Sequence, residues 1–426
     1  MLIIFLLVTW ALNAAQDLNH PLTLSELVDI ALENHPSTKQ AWWNANRAAA
    51  ALGSAKSAYY PQVGFDAYVS KGRTYKFVNG PDTDYTLAGT DITLSMLLFD
   101  FGETNANVGA AKMALVAANW QSEWSIQKVM VNVLENAYAA FHAGEVYQAA
   151  LVSLKEATVV RDAALELNRT GLTSVTDVYT SQANYSEMKM DLARQKALLD
   201  IQIGKLTTSL GLPANTCIEL APIPKPPSSR QVDVNKLIEL ALRQRSDLLA
   251  KQAKHTEALA RQKQVGASYG PKLTSGARGG TDHYFHDRAH GGHYEVRLDF
   301  ELPLFTGFGA TYQKRMAFAN AKISMEELAE LELEISLEVL THSRTLEAAQ
   351  EILPDADEYL ANSIKAYEGV LQKYQAGKER ITELSNAQQQ LAQARVRYSD
   401  VKTRWLVSLA NLAYATGTLC PYLEKQ

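Results

Sequence analysis

The chain has 426 residues, 47% hydrophobic and 20% charged, with a formal net charge of -5. That mildly acidic balance, with a pI near 6.0, excludes the basic field that a nucleic-acid binder needs. Past the N-terminus no apolar run reaches the roughly 18 residues of a membrane-spanning helix, and mean hydropathy is only -0.17.

The opening "MLIIFLLVTWALNAAQD" joins a short apolar run to small residues at Ala14 and Ala15. It is too short to span a bilayer and reads as the core and cleavage site of a secretory signal over residues 1–15, although no Lys or Arg precedes it. No cysteine stands directly after that site, so no lipid anchor is expected there. Export makes a bond between Cys217 and Cys420 chemically open, and two free thiols fit equally.

From residue 22 onward the chain is written twice. "LVDIALENHP" (27–36) matches "LIELALRQRS" (237–246), and Pro61 of "AYYPQV" stands 210 residues before Pro271 of "SYGPKL". "LLFDFGE" (97–103) matches "PLFTGFGA" (303–310), while Gly171 and Gly377, and again Gly211 and Gly417, lie 206 apart. Anchors in one order with nearly constant spacing mark a duplication. The first repeat covers 22–217 and the second 232–417, with a C-terminal tail at 418–426. Between the repeats, 218–231 is a linker dense in Pro and Ser ("APIPKPPSSR").

Within each repeat a helical stretch leads to alternating segments. In "PQVGFDAYVS" (61–70) Val63, Phe65, Ala67 and Val69 share one face, and in "DITLSMLL" (91–98) Ile92, Leu94, Met96 and Leu98 do. These predict a β-hairpin at about 62–99. A second hairpin at about 272–304 joins the poorly alternating "KLTSGARGGT" to "HYEVRLDFELPL" (293–304), with Tyr294, Val296, Leu298, Phe300 and Leu302 on one face. Strands of about ten residues with one apolar and one polar face match transmembrane barrel strands. A sheet covered on one side by helices is the competing reading.

Very long helices follow each hairpin. One over about 103–168 would extend roughly 100 Å at 1.5 Å per residue. Its second-copy equivalent contains Pro354, which predicts a kink or break. Tyr185, Leu192, Leu199 and Leu206 recur every seven residues, as do Leu391, Tyr398, Trp405 and Leu412. That period implies left-handed supercoiling. Shorter three-four-three runs (Val131, Leu134, Tyr138, Phe141, and Ile364, Tyr367, Leu371, Tyr374) carry the same message. Four strands cannot close a barrel, and an open edge in lipid leaves backbone groups unsatisfied. Several chains must therefore share one barrel, and three would give twelve strands.

These residues resemble the TolC-like outer membrane efflux protein family, the outer membrane factors. The likeness runs from Leu22 to about Gly417 and rests on "LTLSELVDIALENHP", "LLFDFGETNANVGAAK" and "RTGLTSVTDVYTSQANY" in order, with the duplication. It implies a mainly α, α/β membrane protein with internal duplication. Long coiled-coil helices would form a periplasmic α-barrel, and a transmembrane β-barrel would be shared between subunits, four strands per chain. It further implies a homotrimer in outer-membrane lipid, a passive exit duct of a tripartite efflux pump or type I secretion system. The partners implied are a periplasmic adaptor (membrane fusion protein) and an inner-membrane transporter.

In such ducts the inner helical turns, here 169–178 and 375–384, meet the adaptor. Gly171 and Gly377 would supply the turn, with Leu172, Ser174, Val175 and Ile381 as contacts. An acidic ring that some members carry at the aperture falls here on Glu383 and Asn386, so only one acid is kept, and Asp177 is its match in the first turn. Asp177 and Glu383 are equally explained as first-turn acids favoured by the helix dipole. The alternative function is a structural or adhesive surface protein without an export role.

"DHYFHDRAHGGHY" (282–294) holds His283, His286, His290 and His293 at three-four-three spacing. On a helix that would suit zinc. Flanking Gly279, Gly280, Gly291 and Gly292 argue against a helix, so the segment is expected to be a polar loop at the second hairpin tip, with no committed metal. No HExxH, Walker A or CxxC motif is present, and neither an enzyme nor a cofactor is expected.

Overall fold

The computed structural model of the chain describes residues 20–74, 83–222, 233–285 and 289–419. The signal segment, His286, Cys420 and most of the linker lie outside the described residues. The elements are α1 (Leu24–Asn34), α2 (Pro36–Lys56), β1 (Gln62–Thr74), β2 (Thr83–Phe99), α3 (Glu103–Arg169) and α4 (Val175–Ser209). They recur as α5 (Val234–Gln244), α6 (Ser246–Ala267), β3 (Lys272–Tyr284), β4 (Ala289–Glu301), α7 (Gly309–Gln375) and α8 (Ile381–Ala415). The duplication is thus structural: α3 and α7 each have 67 residues, α4 and α8 each 35.

Among the described residues one compact unit comprises 20–41, 123–222, 233–245 and 333–419. Its first helix starts with a capping box, in which Thr23 accepts from the Glu26 N–H and the Glu26 carboxylate accepts from the Thr23 N–H at 2.8 Å. The face Leu27, Val28, Ile30 and Ala31 is buried in a core with Leu134, Tyr138, Leu206, Leu210, Trp405 and Leu406. Each such side chain contributes about 1.5–3 kcal/mol on burial. The sevenfold seams behave as read: Leu206, Leu391 and Trp405 are buried, and the remaining members are half-buried. Pro354 does not break α7, which is assigned without interruption through it. The proline removes one intrahelical donor, and the turns on either side carry the helix across.

The other unit comprises Trp42–Ser122 and Ser246–Glu332 and carries an antiparallel sheet in the order β1-β2-β3-β4. The pairing register brings Phe65, Ile92, Gly279 and Tyr294 into one row, and Val63, Leu94, Ala277 and Val296 into the next. This apolar face is open: Val63 and Phe65 are 70% exposed, Tyr294 89% and Val296 79%. A sheet covered by helices on that side is excluded. Two expectations are corrected. β4 ends at Glu301 rather than 304, because Pro303 has no N–H for a ladder. The histidine-rich segment is not a loop throughout, since β3 runs on to Tyr284 and β4 begins at Ala289, so all four flanking glycines lie within paired strands.

Both strand-to-helix junctions hold an aromatic residue in the left-handed region, Phe101 (φ 55°) and Phe308 (φ 65°). That conformation costs about 1–2 kcal/mol for a residue with a Cβ. Asp100 secures the first junction by accepting from the Gly102 N–H at 3.1 Å and the Thr104 N–H at 2.6 Å.

Candidate functional site

The two helical turns at Gly171 and Gly377 share one backbone design. After α3 the Gly171 N–H donates to Asn168 O at 3.0 Å and the Leu172 N–H to Leu167 O at 2.8 Å. After α7 the Gly377 N–H donates to Tyr374 O and the Lys378 N–H to Lys373 O, both at 2.9 Å. This pattern satisfies the last carbonyls of a helix and requires a left-handed residue, and the glycines have φ of 74° and 70°.

The side chains differ between the copies. In the first turn Leu172 is 68% exposed and Val175 53%. Ser174 caps α4, its hydroxyl accepting from the Asp177 N–H at 3.3 Å. The Thr173 hydroxyl donates to the Asp177 carboxylate, and the Asn168 amide donates to Thr173 O at 2.9 Å. Asp177 is therefore bound into the turn as a first-turn acid. In the second turn Lys378 and Arg380 take the places of Leu172 and Ser174, and Arg380 caps α8 without a side-chain bond. Glu383 and Asn386 are exposed on α8.

Ile381 departs from expectation. It is 4% exposed and packs with Tyr374, Leu384, Tyr367 and Val160, so it offers no surface to a partner. Its equivalent in the first copy, Val175, is on the surface.

Beneath the turns the helices are cross-linked by polar side chains that sequence reading missed. The Asn184 amide donates to Gln388 Oε1 at 2.8 Å, and the Gln388 amide to Ser153 O at 3.3 Å. Arg395 makes two bonds to Glu156, at 2.9 and 2.7 Å, and Lys402 donates to Glu145 at 2.7 Å. Burial, then the neighbouring Glu156 charge, pushes the Tyr367 phenol up to about 12. Burial and the Asp177 charge raise Tyr374 in the same direction. Polar residues at otherwise apolar heptad positions, such as Asn184 and Gln388, are the signal that marks such links.

The histidines are divided between the two faces of the sheet. His283 and His290 are cross-strand partners in the apolar-face rows, whereas His293 pairs with Gly280 on the polar face. Helical spacing therefore has no bearing on them.

The family model of outer membrane efflux proteins matches residues 27–212 and 237–418, one copy in each repeat. The chain belongs to that family. This efflux protein is 25% identical over 413 residues to protein CyaE of Bordetella pertussis, covering 95% of this chain and 86% of the relative. It is 21% identical over 436 residues to the outer membrane protein TolC of Escherichia coli, covering 97% and 86%. Its fold matches the CmeC outer membrane channel of Campylobacter jejuni with a TM-score of 0.80 at 17% identity, over 94% of this chain and 88% of that one. The outer membrane protein VceC of Vibrio cholerae gives 0.81 at 17%, over 92% and 96%. The efflux protein is thus an outer-membrane exit channel that extends into the periplasm. The family is one of channels.

Proposed function

We propose that three copies of this chain share one twelve-stranded barrel and serve as the exit duct of a tripartite efflux pump or type I secretion system. The sheet carries the reading. Its apolar face is exposed along β1, β2 and β4, and β1 and β4 each pair on one side only among the described residues. In lipid such edges are satisfied only by closure with further strands, and bacterial barrels hold an even number of at least eight. A periplasmic adaptor, joined to an inner-membrane transporter, docks on the first turn, where Gly171 presents the exposed Leu172, Ser174 and Val175. Gly377 shapes the second turn, and Ile381 acts from within by holding it in place. Asp177, Glu383 and Asn386 are the aperture candidates, with Glu383 as the free acid.

The test replaces Gly171 and Gly377 with Val. Nothing lies within 4 Å of a Cβ at either position, so the change acts through the left-handed backbone, which a β-branched residue resists. Export should be lost while the protein reaches the outer membrane at normal levels. Unchanged export would overturn the role of the turns. Light scattering of the detergent-extracted protein should give three chains per particle, and a detergent-free monomer would overturn the shared barrel.

A further inference from the structure

The polar face of the sheet is built in consecutive cross-strand rows. In one, Thr93 on β2, Arg278 on β3 and Glu295 on β4 stand side by side. In the next, Asp66, Asp91, Gly280 and His293 follow one another from β1 to β4. In the third the order is Tyr68, Gly89, Asp282 and Gly291. The glycines make room for their neighbours. A Cβ on Gly280 would fall on the Asp91 carboxylate, and one on Gly89 would lie 2.5 Å from Asp282 Oδ1 and 2.7 Å from the Tyr68 hydroxyl.

Asp66 and Asp91 are like charges placed directly opposite, an unfavourable pair. Arg278 answers it, donating through Nε to Asp91 Oδ2 at 2.7 Å and through Nη2 to the same oxygen. Asp91 is only 2% exposed. His293 extends across Gly280, with Nε2 2.9 Å from Asp91 Oδ1 and Nδ1 3.3 Å from Asp282 Oδ2. The other Asp282 oxygen accepts from the Tyr68 hydroxyl at 2.7 Å.

Both ring nitrogens of His293 therefore approach carboxylate oxygens. A neutral imidazole has one N–H and one lone pair, so one nitrogen would turn its lone pair on a carboxylate. Only the imidazolium offers N–H to both. Consistent with a site set for a charge rather than a fixed hydrogen bond, Asp91 Oδ1 and His293 Nδ1 are buried and neither meets hydrogen-bond geometry. The charged and titratable groups of these rows are Asp66 and Tyr68 on β1, Asp91 on β2, Arg278 and Asp282 on β3, and Glu295 on β4, and Arg297 of β4 lines the same cavity as Asp91, Arg278 and Glu295. Against these four acids stands Arg278, while Arg297 is ion-paired to Asp299 at 3.1 Å, and His293 is the group able to offset a further acid.

We infer that His293 sets the cation preference of the channel lumen by taking up or releasing a proton between Asp91 and Asp282. The inference rests on the proposed reading that this polar face lines the pore. With the ring neutral the cluster holds excess negative charge and draws cations. With the ring protonated each chain contributes one more positive charge to the same level of the pore. Histidine ordinarily changes charge between about pH 5 and 8. One elementary charge about 10 Å away in water changes the local concentration of a monovalent ion about twofold.

The experiment is reversal potential under a KCl gradient, with the purified full chain in planar bilayers at about pH 8 and about pH 5. In the wild type the K⁺/Cl⁻ permeability ratio should fall about twofold or more at the lower pH. In His293→Gln it should stay the same at both. His293→Lys should show at the higher pH the ratio the wild type reaches only at the lower. A His293→Gln channel with the wild-type pH dependence would overturn the inference, as would a His293→Lys channel with the wild-type ratio at high pH, which covers the case in which the Gln variant does not insert. A wild-type channel that conducts but ignores pH removes the role of His293 alone. Inserted wild-type oligomers without conductance remove the pore-lining reading itself.

Discussion

Ile381 and Val175 occupy equivalent positions of the two repeats, the first residue of α8 and of α4, yet one is core and the other surface. Ile381→Ala deletes three carbons from a site 4% exposed. At about 0.8 kcal/mol per buried methylene the transfer loss is about 2.4 kcal/mol, and an unfilled cavity brings the range to about 2–5 kcal/mol. Val175→Ala deletes two carbons from a site 53% exposed. It forfeits about 0.7 kcal/mol, and the better helix propensity of Ala offsets most of that. Hydrogen exchange read by mass spectrometry on the solubilised protein separates the two. If opening is local, Ile381→Ala should speed exchange in the first turns of α8 by about 50-fold or more, since each 1.4 kcal/mol is tenfold. Val175→Ala should leave α4 within about threefold of wild type. Equal acceleration in both variants would refute the assignment of Ile381 to the core and Val175 to the surface. In export, Val175→Ala should instead weaken adaptor binding without changing protein level.

Gly280→Ala should lower the temperature at which the oligomer dissociates on gels, by an overpacking cost of about 1–3 kcal/mol. Gly291→Ala, with nothing within 4 Å of its Cβ, should leave that temperature unchanged. Pro354→Ala should raise the thermal midpoint, because an interior proline costs a helix about 3 kcal/mol relative to Ala. An unchanged midpoint would mean that packing around Pro354 already offsets the lost donor. The Thr23 backbone N–H, then its hydroxyl, hold the Glu26 carboxyl below its ordinary 4.5. The folded value is the lower one, so the cap contributes fully above 4.5 and is lost as pH falls through the lowered value. The midpoint difference between wild type and Glu26→Gln at neutral pH should therefore close in strongly acidic buffer.

What could be read in advance was whatever depends on local chemistry. Gly171 and Gly377 announce left-handed turns because few other residues tolerate them. The alternation in 293–300 fixes which face is apolar before any partner strand is known. Ile381 was misplaced because an isoleucine suits a surface handle and a core equally, and only its packing on Tyr374 and Leu384 decides. The histidine segment was misjudged for a different reason. Its glycines suggest a loop when read along the chain, but across the sheet Gly280 is the gap that lets His293 reach Asp91. That gap depends on a pairing between residues about 200 positions apart, which no local window contains. The polar links at Gln388 and Arg395 were hidden likewise, since a single Gln or Arg in a helix looks like an ordinary surface residue.

The matched lengths of α3 with α7, and of α4 with α8, restrict how this gene can change. Removing seven residues from α3 and seven from α4 would preserve both seams and draw Gly171 back by about 10 Å, while Gly377 stayed where it is. The apolar cluster that joins Val160 and Ala164 to Tyr374 and Ile381 would lose its register with that shift. Insertions and deletions in one repeat are therefore tolerable only when the other repeat copies them, so the two halves must keep pace in length while their sequences drift apart.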